Sequence, residues 1–87
     1  MSQKVIKDVK AYIGSHTGIN PNRIKDEYVL KKHPLKFDDA KLAFLALSLR
    51  GYIKSHNPSA TILVKELRKK DLDVKKTYEL VIQRIGQ

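Results

Sequence analysis

DDAKLAFLALSLRGYIKS, residues 38–55, is the stretch whose reading decides the fold. Ala40, Leu42, Ala43, Phe44, Leu45, Ala46, Leu47 and Leu49 crowd its middle, and Tyr52 and Ile53 follow. The run is too long for a buried strand and lacks period-two alternation, so it predicts a helix. Asp38 or Asp39 supplies the N-cap, and the negative charge suits the positive end of the helix. A helix that is apolar on nearly every side is either surrounded by other helices or keeps one face for a partner.

Upstream, Val5, Ile6, Val9, Tyr12 and Ile13 fall on one stripe of a helix over residues 3–14, with Lys4, Lys7, Asp8 and Lys10 opposite. Ser2 is placed to cap its start, and Gly14 and Gly18 to end it. Residues 17–37 read as a long ordered loop opened by Asn20-Pro21-Asn22. A loop of this length is expected to pack its own apolar residues. Ile19, Ile24, Val29 or Leu30, and Leu35 are the anchors, with a short helical turn near residues 25–31.

Downstream, Asn57-Pro58 has the chemistry of an N-cap followed by Pro at the first helical position. It predicts a helix over 58–70 with Ala60, Leu63, Val64 and Leu67 inward. Asp73 then opens a helix over 73–85, striped by Val74, Tyr78, Val81, Ile82 and Ile85. No stretch alternates with a period of two. The expectation is a single all-α domain over residues 1–87, a four-helix bundle with a long first loop. Leu45 and Leu49 should be buried against Val9, Ile13, Val81 and Ile85.

The chain has 87 residues, 41% hydrophobic and 31% charged, the balance of a folded domain rather than a disordered tail. Eighteen Lys and Arg against nine Asp and Glu leave a formal net charge of +9. With no Cys, a disulfide framework, a Cys-based zinc site and a thiol nucleophile are excluded. The longest apolar run, Leu42 to Leu47, is too short to span a bilayer. Met1-Ser2-Gln3 opens no secretory pattern, so a cytoplasmic location is expected.

The apolar spacing resembles that of the acyl carrier proteins. Val9-Lys10-Ala11-Tyr12-Ile13-Gly14 is similar to the first-helix pattern of that family and sits four residues before Gly18-Ile19. Ile24, Leu30 and Leu35 fall at the three loop anchors, with one extra residue near Pro34. Ala43, Leu45, Ala46, Leu47, Leu49 and Ile53 follow the second-helix pattern, and Val74, Tyr78 and Val81 resemble the last helix. The resemblance covers most of the chain, rests on hydrophobic pattern, and implies an acyl-carrier-like topology. It departs between Ile53 and Leu72, which is longer than in typical carriers. In the family an Asp-Ser-Leu motif opens the second helix, and its Ser carries a phosphopantetheine arm. Here Asp38-Asp39-Ala40 stands in that place, and the carboxylate of Asp39 is no hydroxyl acceptor. Ser48 and Ser55 lie within the helix, away from its entrance. Carriers are also strongly acidic, and this chain is strongly basic.

His16, His33 and His56 share no helical i, i+4 spacing and read as surface residues rather than metal ligands. Asp38-Asp39 is a capping pair before it is an acid/base or metal pair, and Asp71 and Asp73 have the same reading. There is no glycine-rich phosphate loop and no nucleophile elbow, so neither catalysis nor a cofactor is expected.

The expected function is that of a small basic binding module engaging an acidic partner, a protein or a nucleic acid. The candidate contact residues are Lys41, Arg50, Lys54, Arg68, Lys69, Lys70, Lys75, Lys76 and Arg84. A rival reading takes Ile62–Leu67 and Val74–Ile85 as a helix-turn-helix, with Lys75, Lys76, Glu79, Gln83 and Arg84 projecting toward DNA. Its turn, Lys70-Asp71-Leu72-Asp73, lacks the usual Gly and carries two acids that repel phosphate. A third reading is a working carrier with an unrecognised attachment serine.

Overall fold

The computed structural model describes residues 2–87, and of Ser2 the backbone alone. Among them are four α-helices and no strand: α1 (Ser2–Thr17), α2 (Asp39–His56), α3 (Val64–Leu67) and α4 (Val74–Ile85). A 3-10 turn, Pro21–Arg23, lies in the connection between α1 and α2. Helices α1, α2 and α4 pack on one another in every pairing, while α3 lies against α2. The radius of gyration, 11.7 Å, matches the roughly 12 Å of a compact chain of this length.

α2 begins where the sequence places it. Asp38 is the N-cap, its Oδ1 accepting the Lys41 backbone N–H at 2.8 Å, and Asp39 is the first helical residue. Leu42, Leu45, Ala46, Leu49 and Ile53 form its buried face. They join Val9 and Ile13 of α1 and Val81 of α4 in one core, with Ile85 half-buried at its edge. α4 is capped in the same manner, Asp73 Oδ1 accepting from Lys76 N at 2.7 Å.

α1 runs past Gly14, which does not end it; the helix stops at Gly18, in the left-handed region at φ 76°. The Gly18 N–H returns to Gly14 O at 2.8 Å, closing the last turn. Gly14 has a different task. A Cβ there would stand 2.7 Å from the Ile19 carbonyl oxygen and 3.1 Å from the Pro21 ring, so only Gly lets the loop fold back onto the helix. The expected cap role of Ser2 falls on a side chain outside the described residues.

The loop anchors are Ile24, Leu30, Leu35 and Phe37, all buried. The short helical turn expected near residues 25–31 is instead the 3-10 turn at Pro21–Arg23, because Pro21 presets φ at its first position. Farther on, the loop turns at residues 25–28, Tyr28 N donating to Lys25 O at 3.1 Å, and then pairs briefly with the entrance to α4. Val29 and Asp73 form an isolated antiparallel bridge, Leu30 N donates to Leu72 O at 3.0 Å, and Val74 N donates to Tyr28 O at 2.9 Å.

The expected helix over 58–70 reduces to the single turn of α3. Residues 57–63 are non-helical, with Ala60 and Ile62 buried and Leu63 turned out, an alternation the helical reading of this stretch missed. Ser59, Thr61 and Ile62 are weak helix formers, and burying Ala60 with Ile62 requires extended backbone. Asn57 does not open a helix. It is the C-cap of α2, and its Nδ2 donates to the carbonyls of Arg84 (3.2 Å), Ile85 (3.4 Å) and Gln87 (2.9 Å).

Candidate functional site

The outward side of α2 carries the least-covered apolar surface. Phe44 is 60% exposed, Leu47 58% and, on the segment after α2, Leu63 45%. At 100° per residue, Ala40, Phe44, Leu47 and Gly51 form one strip along the helix, opposite Leu42, Leu45, Leu49 and Ile53. α2 therefore takes the second of the two alternatives its sequence left open: one face is uncovered. Lys41 flanks the strip on the α1 side and Lys54 on the other, both exposed. The nearby acids are engaged. Asp38 caps α2, and Asp39 pairs with Arg68, Oδ1 to Nε at 3.7 Å.

The cationic candidates divide by what they touch. Arg50 Nε donates to Ile62 O at 3.2 Å and Lys54 Nζ to Ala60 O at 3.2 Å, so both hold the 57–63 segment against α2. Arg84 forms a two-pronged pair with Glu66, and its Nη1 also donates to Thr61 O at 3.0 Å. That guanidinium holds the Glu66 carboxyl below its ordinary range. Arg68 is tied to Asp39 through the ion pair and by its Nη2 donating to the Asp39 backbone carbonyl at 3.4 Å. Lys41, Lys69, Lys70, Lys75 and Lys76 are exposed, and their side chains make no ion pair or hydrogen bond among the described residues. Lys69, Lys70 and Lys76 line a shallow depression of about 250 Å³ together with Asp71 and Leu72.

Lys75, Lys76, Glu79 and Gln83 share the outer face of α4, as the helix-turn-helix reading requires, but the helix before them is four residues long and packs on α2. Arg84 is half-buried and faces Glu66 rather than solvent.

His33 and His56 are exposed at a turn and a helix end. His16 is half-buried, its Nε2 3.1 Å from Ser48 Oγ. The pair joins the last turn of α1 to the middle of α2; no carboxylate among the described residues orients its far ring nitrogen. Nor does any cluster of three or more His, Asp or Glu there have the geometry of a metal site. No described helix is long and apolar enough to cross a membrane.

Between the helices lie two further depressions. One, of about 420 Å³, is lined by Asp8, Ala11, Tyr12, Ser15 and Tyr52. The other, of about 390 Å³, is a more apolar groove lined by Val5, Tyr52, Ile82 and Ile85 with Lys4 and His56 at its edge. Tyr52 separates them. It donates to Asp8 Oδ2 at 2.7 Å and stacks edge-on with Tyr12, with ring centres 5.7 Å apart. That hydrogen bond, with Lys4 3.0 Å from the same oxygen, lowers the Asp8 carboxyl from its ordinary value.

Compared with family models, curated proteins and solved structures, the chain matches none.

Proposed function

We propose that the protein is a small basic helical binding module that engages an acidic partner protein through the outward face of α2. The observation that carries this reading is the exposure of Phe44 and Leu47, at 60% and 58%, beside Lys41 on a helix whose other face is fully buried. Large apolar side chains left in water next to unpaired cations mark a surface meant to be covered. The surplus of nine positive charges draws acidic surfaces and repels basic ones. Helix order and the long first connection, anchored by Ile24, Leu30 and Leu35, support an acyl-carrier-like topology. Asp39 at the attachment position speaks against carrier activity and for a module that has kept only the scaffold.

The test is a titration of wild type against a labelled acidic peptide and a labelled random duplex DNA at two salt concentrations. Lys41→Glu and Phe44→Ser should weaken peptide binding. Lys75→Glu with Lys76→Glu should not. DNA binding should be weak and vanish at moderate salt, with the log of affinity falling by about 0.9 per phosphate contacted. Tight, sequence-selective DNA binding that is lost in the Lys75/Lys76 variant would overturn the protein-partner reading. A gain of one pantetheine arm in intact mass, after incubation with a phosphopantetheinyl transferase and coenzyme A, would restore the carrier.

A further inference from the structure

Gly51 is unexplained by the fold. It lies within α2, on its exposed side, and a Cβ built on it meets nothing within 4 Å. Its φ is not in the left-handed region, so no turn requires glycine there. Inside a helix, glycine is less stable than alanine. The contrast with Gly14, which the chain's own backbone crowds, is direct. No neighbour within the chain requires glycine at this place.

Its position points to a use outside the chain. Ala40, Phe44, Leu47 and Gly51 are spaced four, three and four residues apart, the a/d spacing by which one helix meets another. The strip runs small, large, large, small. Two knobs sit in the middle, and a bare patch of backbone at the Gly51 end lets a second helix approach closely. Lys41, unpaired among the described residues, flanks the strip on the α1 side, where a charge beside an apolar seam selects a helical partner, while Lys54 on the other side is held on the Ala60 carbonyl. A second copy of this chain would bring the same cations and another surplus of nine charges against them, so charge complementarity points to an acidic occupant.

Resting on the binding-module reading above, we infer that the strip Ala40-Phe44-Leu47-Gly51 seats an acidic amphipathic α-helix of a partner protein, with Gly51 as the point of closest backbone approach. The partner helix would present its own apolar residues at the same spacing, with Glu or Asp at the positions facing Lys41.

Two synthetic peptides of identical Leu and Glu composition test this. One sets Leu at alternating three- and four-residue spacing over about three heptads; the other scrambles the order. Anisotropy should show the periodic peptide binding at least about tenfold tighter, with a gain of helical circular dichroism on mixing. Gly51→Leu should weaken it by a further factor of about ten, and Gly51→Ala by less, while Gly51→Ala raises the melting temperature of the free protein. Equal binding of the two peptides, or no effect of Gly51→Leu, would overturn the helical docking mode. If Phe44→Ser and Lys41→Glu still weaken binding in that case, the broader reading survives. If those two variants bind as wild type does, both fall. Self-association by sedimentation that disappears in Phe44→Ser would give the strip to a second copy. Binding to phosphatidylserine vesicles in preference to the periodic peptide would give it to a membrane surface. Either result overturns the inference.

Discussion

Tyr78 of α4 donates its hydroxyl to Asp26 Oδ2 at 2.7 Å, joining residues 52 positions apart in sequence. Lys10 of α1 closes on the other oxygen of the same carboxylate at 2.9 Å. One loop side chain is thus held by two helices. Between α2 and α1, Tyr52 reaches Asp8 Oδ2 at 2.7 Å, an oxygen that Lys4 of the same helix as Asp8 also meets at 3.0 Å.

Tyr78→Phe removes one hydrogen bond and leaves the packing of the ring. The cost should be about 1–2 kcal/mol, toward the lower end because Asp26 keeps Lys10 and some contact with water. Urea denaturation with an unchanged slope measures it, and a loss below about 0.3 kcal/mol would show that the link is broken in solution.

The pH dependence follows from the same groups. Lys10 and Tyr78 beside Asp26, hydrogen bonds from Tyr52 and Lys4 to Asp8, and those from Arg84 to Glu66 lower all three carboxyls in the folded protein. A carboxyl lowered by folding adds stability above its unfolded value, near about 4, and loses it as pH falls through the folded value. Acid should therefore unfold the wild type, and Glu66→Gln should flatten the acid limb. At the alkaline end the sign reverses. The hydrogen bond to Asp26 pushes Tyr78 up to about 12, and burial with the bond to Asp8 raises Tyr52 as well. Their contribution is full below the unfolded tyrosine value of about 10 and is lost above it. Thermal melts across the pH range check both limbs.

Leu45 and Leu49 are fully buried. Leu45→Ala should cost about 2–5 kcal/mol, a large part of a small domain's stability. An unchanged melting temperature would place Leu45 outside the core.

The two helical glycines should respond oppositely to alanine. Gly51→Ala should stabilise by about 0.5–1 kcal/mol, since it meets open space. Gly14→Ala should destabilise despite alanine's better helix propensity, because its Cβ would meet the Ile19 carbonyl at 2.7 Å. Matched denaturation curves decide the sign of each.

At the entrance to α2 the cap is Asp38, so Asp38→Ala should cost about 1 kcal/mol. Asp39→Ser removes only an exposed pairing with Arg68 and should change stability by well under about 1 kcal/mol. Equal losses in calorimetry would mean that both carboxylates hold the helix.

α2 and α4 were legible because periodicity and a capping Asp coincide at each, and local chemistry is enough to fix a helix start. Residues 57–63 were not. Asn-Pro suits a helix entrance, but the Asn57 amide meets the carbonyls of Arg84, Ile85 and Gln87, which are distant in sequence. The same holds for the cations. Arg50 and Arg84 look in sequence like the surface cation Lys41, and only tertiary structure shows them bonded to Ile62 O and to Glu66 with Thr61 O. The run from Ala40 to Leu49 left two outcomes open, and nothing local chooses between a surrounded helix and an uncovered one. Phe37 is a buried anchor that the irregular loop spacing hid.

The partners of α4 bear on the order in which the molecule assembles. Its entrance pairs with the loop at Val29 and Tyr28, its middle holds Asp26, and its last turn holds Asn57, Thr61 and Glu66. Before α4 is made, the first connection has its contacts with α1 and residues 57–63 their bonds to α2, but both lack the bonds that α4 and its entrance supply. α1 and α2 can meet early, and the contacts of α4 then tie the first connection and residues 57–66 to them. During synthesis the interval before those contacts form is when Ile24, Leu30 and Ile62 are open to wrong partners.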